Sequence, residues 1–146
     1  MYARFAFVAG LLLLAVCSHA QLLPTPEKQK FHFGKPQNEE GGYTQTIKVG
    51  NTIYVSGTVA LTVDSAGVSQ VYRIISKSLE QFGAGLQHVV KESIFTTDIE
   101  AMKAANQYRK LAYKGDYPTS TWVQVSRLYM HEARLEIEVI AMLPDK

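Results

Sequence analysis

Apolar and polar positions change period several times along this chain, and each change marks an element. From Gly41 the stretch "YTQTIKVGNTIYVSGTVAL" alternates, turns at Gly50 and Asn51, and runs apolar again from Ile53 to Leu61, which predicts a β-hairpin. Gly57 stands in the middle of its second strand, where a glycine weakens pairing, so it marks a bulge or the close approach of another group. Val71, Ile74, Ile75, Ser78, Leu79 and Phe82 then fall at helical spacing, and Gly83 and Gly85 stop the run. "HVVKESIFTT" reads as a strand. "TDIE" at 97–100 has the Thr-x-x-Glu form of a capping box and predicts a second helix from near Ile99, with Met102, Ala105, Leu111 and Ala112 on its apolar side. Two more strands follow: "YPTSTWVQVSRL" at 117–128, and "RLEIEVIAML", where Leu135, Ile137 and Val139 alternate with Glu136, Glu138 and Ile140.

The predicted order is ββαβαββ, an α+β class in which one mixed sheet carries both helices on one face. The other face, expected to hold hydroxyls, Trp122 and acids, needs cover, and a further subunit is the economical way to provide it. Upstream, residues 21–40 contain Pro24, Pro26 and Pro36 among polar residues and read as an extended tether with a short extended piece at "KFHF". Residues 1–20 differ again: one early arginine, an apolar stretch from Phe5 to Val16, then small residues at Ser18 and Ala20. That is the pattern of a secretory signal peptide cleaved after Ala20, and it predicts a secreted or periplasmic protein with its domain at 41–146. The apolar stretch falls short of the ~20 residues of a spanning helix, so no stable membrane association is expected after cleavage.

Charge and cysteine content narrow the partners. With 15 Lys+Arg against 13 Asp+Glu and no basic block or stripe, nucleic acid and anionic membrane surfaces are poor partners, which leaves small molecules and other subunits. The single cysteine, Cys17, lies inside the predicted leader, so a chain starting at Gln21 has neither disulfide nor thiol chemistry. His88 and His131 have no second His, Asp or Glu at metal-ligand spacing and read as solvated surface residues; no metal and no cofactor is expected. No serine stands in a nucleophile elbow and no glycine loop could cradle phosphate. Arg127, seven residues after Ser120, falls on the opposite face of an unbroken strand.

Four stretches, in order and at matching spacing over about Gly41 to Met142, resemble the RidA/YjgF family of reactive-intermediate deaminases: "GGYTQTIKVGNTIYVSG", "VVKESIFTTDIEAMKAANQYRK", "PTSTWVQVSRL" and "LEIEVIA". The resemblance implies a chorismate-mutase-like α+β protomer, assembly as a homotrimer with small-molecule pockets at the subunit interfaces, and hydrolysis of an imine or enamine to a keto acid and ammonia. It assigns Glu136 and Tyr43 to the catalytic group that handles water, and Gly57, Asn106, Ser120 and Trp122 to ligand binding. The family carries an arginine for the substrate carboxylate where this chain has Ser120, often a cysteine where it has Trp122, and a proline where it has Gly42. Serine offers one neutral hydrogen bond and no charge, which puts 2-iminobutanoate/2-iminopropanoate-type deaminase activity in question. Two expectations follow: a deaminase with altered substrate preference, or a non-catalytic ligand-binding or scaffold trimer.

Overall fold

A computed structural model describes residues 24–34 and 39–145; the leader at 1–20 and Pro36 lie outside the described residues. Strands β1 (Gln29–Phe31), β2 (Thr46–Val49), β3 (Thr52–Ala60), β4 (Val89–Thr96), β5 (Thr119–Gln124) and β6 (Leu135–Met142) form one sheet in the order β1-β2-β3-β6-β4-β5. Only β4 and β5 run parallel, so the sheet is mixed as expected, and β5 is an edge strand. Lys30 and Phe31 of the extended piece expected at "KFHF" belong to β1 and pair with β2, a strand the expected order ββαβαββ did not include, while His32 and Phe33 lie beyond it. No helix among the described residues is long and apolar enough to cross a membrane.

Helices α1 (Ser65–Glu80) and α2 (Ile99–Tyr113) cover one face. Val68, Val71, Ile75 and Leu79 of α1 and Met102 of α2 pack with Ile53, Val55, Ile94, Leu135, Ile137 and Val139 of the strands, and all are buried. Each such side chain contributes about 1.5–3 kcal/mol by leaving water, which fixes the strand register because a one-residue slip would turn the whole apolar set outward. The other face carries Tyr54, Glu138, Ile140 and Met142, with Tyr54 49% exposed and Met142 46% exposed.

Both helices begin on an aspartate. Asp64 accepts a hydrogen bond from Gly67 N at 2.9 Å, and that bond, with a second from Thr62, holds its carboxyl below the usual range. Asp98 accepts from Ala101 N at 2.9 Å, so the cap of α2 lies one residue after the Thr97 expected from the Thr-x-x-Glu pattern. Thr97 is held back because its N–H is bonded to Arg134 O at 3.0 Å.

Three other expectations are corrected. Leu111 is 70% exposed; the buried stripe of α2 runs Met102, Ala105, Arg109, Tyr113, and Leu111, two residues past Arg109, points away from it. His88 is half-buried in a 3-10 turn (Leu86–His88), where Nδ1 accepts from Gly85 N at 3.0 Å. Trp122 stands on the helix side and not with the acids, because β5 pairs it with Ile94, a core residue.

Candidate functional site

The break in β3 builds one half of the candidate site. Its pairing with β6 shifts between Val55 and Thr58, and Gly57 sits inside that bulge. Across from it the Glu136 side chain folds over the glycine so closely that a Cβ at position 57 would overlap the carboxylate. Bulge and close approach, the two alternatives for Gly57, are both realised. Gly57→Ala is therefore expected to push the flexible Glu136 side chain off the bulge while changing stability by no more than about 0.5 kcal/mol; a larger drop in the urea midpoint would contradict this.

The segment before β2 is tied to the same bulge. Ser56 N donates to Gln45 O at 2.9 Å, Ser56 Oγ donates to Thr44 O at 2.7 Å, and Gln45 Nε2 donates to Ser56 O at 3.3 Å. These bonds bring Tyr43 beside Glu136 in a cavity of about 370 Å³ lined also by Ser56, Gly57, Tyr129 and Met130. Glu136 makes no hydrogen bond or ion pair among the described residues; burial first, and the neighbouring Glu138 second, raise its pKa above the ordinary carboxylate value. A larger groove of about 560 Å³ lies among Asn51, Phe82 and Asp145, but its carboxylate is tied to Asn51 Nδ2 at 2.9 Å. The smaller cavity is thus where a free carboxylate of raised proton affinity meets a phenol and open space.

The remaining candidates lie elsewhere. Ser120 and Trp122 point to the helix side of edge strand β5, opposite Glu92 and Ile94 of β4, whereas Glu136 faces the open side of β6. Asn106 is on α2, its Oδ1 buried and without a hydrogen-bond partner among the described residues. One chain therefore unites Tyr43, Gly57 and Glu136, joins Ser120 to Trp122, and leaves the two groups on opposite faces.

Ser120 belongs to a cluster that sequence patterns did not single out. Glu92 is fully buried, and its Oε1 accepts from Arg109 Nε at 2.5 Å and from Ser120 Oγ at 2.7 Å. Its Oε2 accepts from Tyr72 OH at 2.9 Å and Tyr113 OH at 2.8 Å. Trp122 Nε1 donates to Ser120 Oγ at 2.6 Å, so the serine's proton goes to Glu92 and its oxygen receives the indole. Burial, then the charge of Glu92, pushes both phenols far above their ordinary pKa and keeps them protonated donors. A signal was present: Glu92 occupies the inward phase of β4 with Ile94 and Thr96, and Arg109 occupies the inward phase of α2 with Ala105 and Tyr113. A charge at a buried phase of each of two elements calls for a partner.

Because β5 ends at Gln124, the parity rule for an unbroken strand does not apply to Arg127, whose Nε donates to Leu128 O at 3.2 Å in the following loop. Among the described residues no group of 3 or more His, Cys, Asp or Glu side chains is arranged to hold a metal ion.

The family described as Endoribonuclease L-PSP matches residues 35–143. The chain is 30% identical to the 2-iminobutanoate/2-iminopropanoate deaminase of Dermatophagoides farinae over 112 residues, covering 70% of this chain and 87% of that protein. It is 31% identical to the deaminase of the same name from Rattus norvegicus, covering 70% and 80%. Among solved structures, Rv2704 of Mycobacterium tuberculosis, a member of the YjgF/YER057c/UK114 family, superposes with a TM-score of 0.74 at 26% identity, covering 80% of this chain and all (100%) of that one. RidA from an Antarctic Psychrobacter bacterium gives a TM-score of 0.64 at 31% identity, covering 69% and 88%.

Proposed function

The chain belongs to the RidA/YjgF family, and on that premise we propose that it is a hydrolytic deaminase of 2-imino acids. The observation that carries the proposal is the half-buried Glu136 carboxylate over the Gly57 bulge, unpaired among the described residues, in a cavity that Tyr43 also lines. A carboxylate with a raised pKa is the stronger base for taking a proton from water and can return it afterwards. Water held by Glu136 adds to the imine carbon; the C–O bond forms, the C=N π electrons move to nitrogen, and Glu136 takes one water proton. Glu136 returns that proton to the nitrogen, the remaining O–H proton follows as the carbonyl forms, and the C–N bond breaks. Imine and water thus become a 2-oxo acid and ammonia.

Assembly completes the site in this proposal. Tyr129 at the rim of the Glu136 cavity is 90% exposed, and the open sheet face carries exposed Tyr54 and Met142. A homotrimer would cover this face and bring the Asn106, Ser120 and Trp122 edge of one copy to the Glu136 cavity of the next, closing around an axis without leaving a free edge. Light scattering is expected to give three times the protomer mass at micromolar concentration, and a monomer would contradict it. The family's descriptive name points to RNA cleavage, but the charged side chain this chain brings to the cavity is Glu136, which repels phosphate.

A second reading, a ligand-binding trimer without chemistry, is favoured by one feature: the Ser120 proton is already committed to Glu92. An assay separates the two. 2-Iminobutanoate is generated in situ with an amino-acid oxidase; the protein is expected to shorten its lifetime and to speed release of ammonia and 2-oxobutanoate. Decay no faster than in buffer favours the binding trimer. Export of the chain by its leader is a further part of the proposal, checked by the intact mass of the exported protein, which should begin at Gln21.

A further inference from the structure

If the ligand is a 2-imino acid, its carboxylate needs a cation, and residue 120 offers none. We infer that Arg109 of helix α2 reads that carboxylate, an inference that rests on the deaminase proposal and names how its substrate class is recognised. Arg109 is the only buried cation among the described residues. Glu92 engages its Nε alone, and the terminal nitrogens Nη1 and Nη2 make no hydrogen bond among the described residues. They are not sealed from solvent either, since the side chain keeps 8% of its surface exposed. Those two nitrogens form the end of the guanidinium that matches a carboxylate with parallel hydrogen bonds.

The guanidinium is also held where residue 120 stands. Ser120 Oγ bonds the same Glu92 oxygen as Arg109 Nε, and Trp122 Nε1 bonds Ser120. The guanidinium carbon lies 5.3 Å from the Tyr113 ring centroid, 5.6 Å from Tyr117 and 5.7 Å from Trp122. Glu92 and three aromatic rings thus surround the guanidinium, and of those rings Tyr117 is the half-exposed one. One turn earlier on α2, Asn106 Oδ1, buried and without a hydrogen-bond partner among the described residues, is an acceptor of the kind an imine or amine N–H requires. The other arginines among the described residues are placed differently, Arg73 being exposed on α1. Arg134 pairs with Asp98 at 3.6 Å, and Arg127 is exposed with its Nε on the Leu128 carbonyl.

Trp122 is the only tryptophan in the chain and borders Arg109, so its emission reports binding at this place without requiring turnover. Titrations compare 2-oxobutanoate with its neutral amide. Wild type is expected to bind the acid about tenfold to a hundredfold more tightly than the amide, the range of a charge-assisted contact. Arg109→Lys should keep part of that preference, Arg109→Gln should lose it, and Arg127→Gln should leave it intact. Glu92→Gln/Arg109→Gln removes the stranded buried charge and serves if the single variant does not fold. Equal binding of acid and amide by wild type, preference retained in the folded Gln variants, or preference lost in Arg127→Gln would each overturn the inference. Acid-selective binding without imine hydrolysis leaves the inference standing and removes the deaminase proposal; hydrolysis without acid selectivity does the reverse.

Discussion

Glu136→Gln is expected to reduce the protein-dependent rate of 2-iminobutanoate hydrolysis by about 10²–10⁴-fold, the usual contribution of a positioned general base. Glutamine is nearly isosteric, and no hydrogen bond or ion pair is lost among the described residues, so the fold should persist. The stability sign is also determined. A carboxyl whose folded pKa is raised binds its proton more tightly in the fold than in the unfolded chain, so its ionisation opposes folding as pH rises through that range. Glu136→Gln should therefore equal wild type in stability at acid pH and match or exceed it near neutrality. Ammonia release and urea denaturation check the two halves, and a rate loss accompanied by an equal loss of folded protein would remove the catalytic explanation.

Arg109→Met is expected to destabilise the protein by about 3–5 kcal/mol, because it leaves the Glu92 charge fully buried with only neutral donors from Tyr72, Tyr113 and Ser120. Glu92→Gln combined with Arg109→Met should recover much of that loss. The amide introduced by Glu92→Gln would carry no charge and would keep an oxygen for the phenols, whose hydroxyls would otherwise be stranded at about 1–3 kcal/mol each. Urea midpoints at one protomer concentration measure both, since assembly makes stability concentration-dependent. A cost below about 1 kcal/mol for Arg109→Met would mean that water or another group already compensates Glu92.

Much of the fold was legible because periodicity reports burial directly. The hairpin around Gly50 and Asn51, the stripe of Val71, Ile75 and Leu79, and the alternation of Leu135, Ile137 and Val139 all predict what packs. Gly57 was legible for the same reason: a glycine in a β-branched strand implies something pressing on it, and Glu136 does. The Glu92 cluster was not, since apolar periodicity scores a buried Glu or Arg as a break in the pattern. Nor was the face of Trp122, because alternation leaves open which parity points inward; the register with Ile94 decides it. The cap of α2 moved by one residue because a tertiary bond from Thr97 to Arg134 competes with a local motif. Asn106, Ser120 and Trp122 were placed by resemblance, and one chain does not bring them to Glu136.

The most direct test of the central claim, that the raised Glu136 carboxylate acts on water, is the pH dependence of kcat/KM for 2-iminobutanoate after subtraction of the protein-free rate. The working form is the ionised one, so the rate should fall on acidification with a midpoint above the ordinary carboxylate range. Removing the second cause of the shift by Glu138→Gln should move that midpoint down, and Glu136→Gln should leave no acid limb and only residual turnover. An acid limb that stays in place in Glu138→Gln, or survives in an active Glu136→Gln protein, would contradict it.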